Sequence, residues 1–258
     1  MRSVLFKIGP LEVYGYGLML AIGVLAGYFC TVYRGQKQGL SVEQCFSFVF
    51  WCVIPGFIGA KLLFWITEWQ DFIRYPGTYL KSFSDGFVIY GGILGGILGA
   101  YIFCRLNRLS FLAMADLGLP SAALGQGFGR IGCLLAGCCY GKPASFPPSI
   151  TFHDSDFAPS GIPLIPTQIY SSLLDFLHFF ILLYIARHKR ADGEVAAWYL
   201  ILYSSGRFIL EFFRGDIERG SVGPLSTSQF IALFTLAAGI GLFVWLHSRR
   251  PRSPAASA

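Results

Sequence analysis

Charge is what this sequence has least of. Asp, Glu, Lys and Arg make up 13% of its 258 residues, where a soluble domain of this length carries about a quarter. So thin a polar coat excludes an ordinary water-soluble globule. Nothing in the chain reads as a removable signal peptide either, because Pro10 and Glu12 interrupt the first apolar stretch. No lipidation motif or targeting tail is evident. None of the seven cysteines stands in a CxxC pair, so the usual sequence signature of a structural zinc site or a dithiol redox motif is lacking. What the chain does have is apolar mass: 54% hydrophobic residues, 25 Phe, 13 Tyr, 5 Trp and a mean hydropathy of +0.58. These figures describe a polytopic membrane protein. The net charge of +6 does not point to nucleic acid, because the basic residues gather at the ends of apolar runs, where they set topology.

A membrane helix needs about 20 mostly apolar residues. Seven stretches qualify: Val13 to Tyr33, Gln44 to Ile66, Phe87 to Cys104, Phe111 to Leu135, Thr167 to Ala186, Val195 to Phe213 and Thr227 to Leu246. Pro120 and the glycines could break the fourth into two pieces. With the amino terminus outside, the inner loops hold ten Lys and Arg against seven outside, which favours that orientation and leaves the carboxyl terminus inside. The expected fold is therefore an all-α membrane protein with seven transmembrane helices and two outer-face cap segments. Thr67 to Gly86 suits an amphipathic piece in the interface, and Lys142 to Pro166, with six prolines, reads as an irregular loop. Residues 1–247 form one polytopic domain in this reading, and 248–258 a disordered basic cytoplasmic tail.

The polar residues inside the spans carry the functional expectations. They are Lys61, Asp116, Arg130, Asp175, Arg207 and Glu211. Intramembrane ionisable groups are costly and need partners or a task; pairing that merely fixes the bundle is the bland alternative. Arg130 lies in GQGFGRIGCLLAGCCYG, from Gly125 to Gly141, where six glycines allow backbone or ligand to approach closely. An anionic lipid headgroup would satisfy it. Arg207, Glu211 and Arg214 recur at i, i+4 and i+7, which predicts one helix face with two arginines about one carboxylate. Guanidinium suits phosphate because it stays charged and binds in a fork. Tyr90 heads the glycine-rich YGGILGG stretch and Tyr16 opens the first span; each is either an interfacial anchor or part of a site. Cys133, Cys138 and Cys139 could ligate a metal, form a redox pair, supply one reactive thiol beside Arg130, or fill space.

With these residues placed, the chain resembles the prolipoprotein diacylglyceryl transferase family over nearly its whole length. The resemblance rests on YGLM at Tyr16 to Met19, YGGILGG from Tyr90, GRIG at Gly129 to Gly132, PTQIY at Pro166 to Tyr170, GRFILEFFR at Gly206 to Arg214 and LSTSQ at Leu225 to Gln229, in that order. It implies a multi-pass enzyme of the bacterial plasma (inner) membrane. Such an enzyme moves a diacylglyceryl group from phosphatidylglycerol to the lipobox cysteine of a prolipoprotein, leaving a thioether and glycerol phosphate. By motif, Arg130 then binds phosphatidylglycerol, and Arg207, Glu211 and Arg214 form its arginine and glutamate face. Asp116 matches an acidic residue before the glycine motif and Tyr16 a tyrosine of the first span. The sequence departs from the family's pattern at Tyr90, where a histidine is usual, at Cys133 and Cys138, where asparagine and glutamate are usual, and at Ser171, where glutamate is usual.

The expected chemistry needs a thiolate and a stabilised phosphate leaving group. No histidine is expected near the site, so Glu211, ahead of Tyr90, is the candidate base; otherwise no base acts and the arginines lower the thiol pKa. The expected catalytic set is Glu211, Arg207, Tyr90 and Tyr16, and the lipid-binding set Arg130, Arg207 and Arg214. No cofactor, metal or nucleic acid is expected. Two other classes fit less well: a membrane thiol oxidoreductase using Cys133, Cys138 and Cys139, and a transporter of an anionic metabolite.

Overall fold

The apolar runs form long helices in the computed structural model, which describes residues 4–8, 11–77, 86–153, 155, 157–216 and 220–248. The chain divides into two units, Met1–Cys30 with Asp116–Ala258, and Thr31–Ala115. Among the described residues five helices are long and apolar enough to cross a membrane: α1 (Gly15–Gln36), α2 (Val42–Thr67), α4 (Ile89–Asn107), α6 (Thr167–His188) and α8 (Thr227–Ser248). The short α3 (Trp69–Arg74) follows α2. Two further long helices, α5 (Phe111–Ala136) and α7 (Glu194–Glu211), carry the polar load, with Asp116, Gln126 and Arg130 on the first and Arg207 and Glu211 on the second. Large apolar side chains such as Phe29, Ile66, Leu94, Phe180 and Phe234 stand exposed along the helices. In water that surface would aggregate; in lipid it is the expected outer face.

The all-α expectation needs a small correction, for three short two-stranded antiparallel sheets also form. β1 (Val4–Ile8) pairs with β2 (Leu11–Tyr14), so the first helix starts at Gly15 rather than at Val13. β3 (Ile150–Thr151) pairs with β4 (Pro163–Leu164), and β5 (Ser221–Val222) with β6 (Leu225–Ser226). The proline-rich segment is therefore no bare connector. It closes over its own apolar centre, where Phe152, Ala158 and Leu164 are buried against Leu134, Tyr140 and Ile150. Ser155 anchors its turn, accepting from the amides of Phe157 and Ala158.

α5 is one continuous helix despite Pro120 and five glycines between Gly118 and Gly132. A glycine inside a helix costs about 1 kcal/mol relative to alanine, and here close packing offsets it. A Cβ on Gly127 would run into the Phe176 ring at 2.6 Å, and one on Gly23 of α1 would meet the Gly125 carbonyl at 3.0 Å. Ser172 ties α6 to α5 by donating to the Gly127 carbonyl at 2.9 Å. α7 packs on α8 through Ser204 and Thr235, whose hydroxyls are 2.6 Å apart.

The amino end of α7 is capped from a distance. The Asp116 carboxylate accepts from the backbone amides of Gly193 and Ala196, at 2.9 and 3.0 Å, and from Lys189 Nζ at 2.9 Å. That is an N-cap supplied by another helix. It fills the place of the absent side-chain cap at Gly193, whose φ of 98° is a conformation that glycine tolerates best. Desolvation would lower the Lys189 pKa, but its bonds to Asp192 and Asp116 outweigh that and raise it.

In the second unit α2 and α4 pack at glycine distance. A Cβ on Gly99 would overlap the Trp51 carbonyl, and one on Gly95 the Pro55 carbonyl. The YGGILGG stretch thus has the packing role that small residues commonly take between membrane helices. Ser41 and Gln44 form a reciprocal capping box at the start of α2. Lys61 is buried, its ammonium 3.4 Å from the Gly86 carbonyl and about 5 Å above the Phe64 and Phe87 rings. In the predicted interfacial segment Phe72 stacks between Trp65 and Trp69. Tyr79 and Phe83 of that segment, and residues 249–258 of the tail, lie outside the described residues.

Candidate active site

Arg130 stands less than two turns before the end of α5, between two spaces. One is a narrow cleft of about 20 Å³ lined by Arg130, Asp175, His178, Tyr203 and Arg207 together with Ser171, Leu174, Gly206 and Leu210. The other is an apolar groove of about 220 Å³ along α5 and α6, lined by Ile131, Leu134, Ile169, Leu173 and Phe176 with Arg130, Gln168 and Ser172. One guanidinium therefore borders both a charged cavity and a greasy one. Its nearest carboxylate, Asp175, is 3.9 Å from Nε. That is an ion-pair distance rather than a hydrogen bond, which leaves the guanidinium fork able to turn to an oxyanion.

Arg207 is held at both ends. Nη1 meets Glu211 Oε2 at 2.6 Å, one helical turn on, and Nη2 donates to Ser228 Oγ at 2.8 Å on α8. Two half-buried arginines lining one cleft would repel each other. Here Asp175 beside Arg130 and Glu211 beside Arg207 balance the charge, which composition and periodicity did not disclose for Asp175. Tyr203 stacks parallel to Tyr199, with ring centres 5.8 Å apart, and Tyr199 donates to Gln126 Oε1 at 3.0 Å on α5. The aromatic pair thus braces α7 against α5 below the cleft.

Two expectations are corrected. The helix ends at Glu211, and Phe212, Phe213 and Arg214 continue in a tighter turn, their amides bonded to the carbonyls three residues back. Arg214 consequently lies past the helix end. It donates to Asp216 through Nε at 3.2 Å and Nη2 at 2.9 Å. Secondly, a histidine is present. His178 on α6 lines the cleft opposite α7, and a Cβ on Gly206 would come 3.4 Å from its Cε1. Nothing local in the sequence marks it, because only the pairing of α6 with α7 turns it towards Arg207.

Tyr16 packs its ring beside Gly132, two residues beyond Arg130, where an added Cβ would meet its Cδ2 at 3.1 Å. Asp116 is fourteen residues back along α5, roughly 21 Å of helix rise from Arg130, and caps α7 there. Tyr90 belongs to the second unit, part-exposed in the first turn of α4. Cys133, Cys138 and Cys139 come together, all three Sγ atoms lying within 4.8 Å of one another, with no disulfide between them. Hydrogen bonds from the other two thiols, and the nearby Arg214 guanidinium, hold the Cys139 thiol below its usual range; the same sharing pushes Cys138 up. Thr167 and Gln168, both buried, clamp the carbonyls of Cys139 and Cys138 at 2.8 Å each.

A multi-pass membrane protein whose paired arginines open beside an apolar groove is the class these features define. The sequence profile described as prolipoprotein diacylglyceryl transferase matches residues 3–245, and the chain belongs to that family. It is 48% identical over 243 residues to a phosphatidylglycerol–prolipoprotein diacylglyceryl transferase of Clostridium tetani, covering 94% of this chain and 97% of the relative. It is 44% identical to a second such transferase from Clostridium perfringens, with 94% of each covered. A Staphylococcus carnosus relative of the same name is 32% identical, with 94% of this chain and 89% of that one covered.

Proposed function

We propose that this chain transfers the diacylglyceryl group of phosphatidylglycerol to the lipobox cysteine of a prolipoprotein. The carrying observation is the position of Arg130, bordering at once a charged cleft and an apolar groove. A phospholipid has that division in its own structure, with acyl chains for the groove and a phosphate for the arginines. In the reaction the acceptor thiolate attacks the terminal glycerol carbon that bears the phosphate. A carbon–sulfur bond forms, the carbon–oxygen bond to phosphate breaks, and glycerol phosphate leaves with the electron pair. Arg130 and Arg207 stabilise the charge growing on that phosphate, in a place where water does not dilute the effect. Glu211 and Ser228 hold Arg207 in position. His178 takes the thiol proton, since Glu211 is engaged with Arg207. Tyr16 stands beside Gly132, close to Arg130, and Arg214 holds Asp216 just past the end of α7.

The same reading makes α5 and α7 spans, bringing the total to seven, with the amino terminus outside the cell and the carboxyl terminus inside. The capped end of α7 then faces the cytoplasm with Arg187, Lys189 and Arg190, and the folded cap of residues 137–166 faces outward in the bacterial inner membrane. The test is a cell-free assay with phosphatidylglycerol vesicles and a lipobox peptide, read as thioether product and released glycerol phosphate. Arg130→Ala is expected to abolish transfer, and His178→Ala to lower kcat about a hundredfold or more. No transfer by the intact protein, or full transfer by Arg130→Ala, would overturn the reading. Lipid uptake without product would favour a transporter instead.

A further inference from the structure

The thiol cluster lies beside the proposed transfer site, and no step of the chemistry above uses it. Cys133 stands in the last turn of α5, the chain reverses at Gly137 with a φ of 76°, and Cys138 and Cys139 fold back over the helix end. The Cys138 amide donates to the Cys133 carbonyl at 3.1 Å. Cys139 has a φ of 61°, a left-handed conformation that residues other than glycine seldom adopt. The surroundings keep it there, since buried Thr167 and Gln168 grip the carbonyls of Cys139 and Cys138.

We propose that Cys133, Cys138 and Cys139 form a three-thiolate binding site for a thiophilic metal ion of the zinc(II) or copper(I) class. Three sulfurs around one ion at about 2.3 Å stand roughly 4 Å apart, and the observed set, all within 4.8 Å, needs only small side-chain rotations to reach that. Sulfur alone, without carboxylate or imidazole in the set, selects soft ions. Filling space does not require three sulfurs to converge from both sides of a tight turn. A second observation points the same way. Gln168 is 1% exposed, its amide nitrogen is bound to the Cys138 carbonyl, and its Oε1 is buried with no hydrogen-bond partner. An unsatisfied buried acceptor is costly, and this one belongs to the amide that touches the cluster. Three thiolates with a divalent ion carry one net negative charge, and the Arg214 guanidinium at Cys139 lies where it offsets that charge. Binding exchanges thiol protons for the metal, so protons are released and no oxidant is consumed.

The test uses the full-length protein in detergent, reduced, stripped with a chelator and dialysed against zinc(II). Metal is counted by mass spectrometry, with cadmium(II) as an optical probe through its thiolate charge-transfer band and copper(I) as the competing arm. One ion per chain is expected, with proton release, at least tenfold weaker binding in Cys138→Ser, and none in the triple Cys→Ser variant. Metal should also protect these three cysteines of the unaltered protein from alkylation, as read by peptide mapping, which does not depend on any variant folding. Failure to bind a stoichiometric ion, equal binding by the triple variant, or alkylation of the three thiols at the same rate with and without metal would overturn the proposal. Because the readout is metal content and thiol protection, a failure of lipid transfer leaves it standing.

Discussion

Glu211→Gln isolates the step on which the proposed chemistry depends most. Glu211 is 9% exposed and meets Arg207 through one short contact. Glutamine keeps the shape and an acceptor oxygen but removes the charge that neutralises the guanidinium. Removing a whole partner from a buried ion pair costs about 3–5 kcal/mol. With one acceptor retained, about 2–3 kcal/mol is the fitting figure, and if all of it is felt in the transition state kcat/KM falls roughly 30- to 150-fold. Ser228→Ala removes the other tether of Arg207, a hydrogen bond to a charged group worth about 1.5 kcal/mol or somewhat more, so roughly tenfold is expected. Both act through the same arginine, so the double variant should lose less than the sum of the two. Transfer of labelled lipid to a lipobox peptide, measured with the melting temperature of each variant, separates a lost rate from a lost fold. If Glu211→Gln keeps kcat/KM within about twofold of the unaltered protein while Arg207→Ala is inactive, the pair does not position Arg207 and the assignment fails.

Three further outcomes follow from the packing. Asp116→Ala strips two backbone amides and Lys189 of their acceptor, so stability should fall by about 2–4 kcal/mol in a denaturation assay, with KM for lipid unchanged at permissive temperature. The folded-state pKa of Lys189 is raised, so its contribution to stability is fully present below the ordinary lysine value of about 10.4 and is lost as the pH climbs through the raised one. The melting-temperature difference between the unaltered protein and Lys189→Met should therefore shrink only in strongly alkaline buffer; a difference that vanishes near neutrality would contradict the pairing. Gly99→Leu forces a side chain into the Trp51 carbonyl and should lower the yield of folded protein, whereas Gly241→Leu, with open space around it, should not.

What the sequence determined alone is whatever depends on local spacing. Apolar runs about 20 residues long, with charge confined to their ends, identify a membrane protein because lipid leaves the backbone few other ways to satisfy its hydrogen bonds. Arg207 and Glu211 were legible as a pair because four residues bring side chains onto one helix face. Arg130 was legible because an arginine in an apolar run needs a reason. The tertiary structure decided everything that joins separate helices. It placed Asp175 and His178 of α6 and Ser228 of α8 around the two arginines. It gave Asp116 to a helix end 77 residues away and closed the proline-rich segment over Phe152. It also ended α7 at Glu211 and gave Arg214 a bond to Asp216. Periodicity along one helix fixes which residues share a face, but which face meets which neighbour depends on how glycine-sized surfaces fit across the bundle.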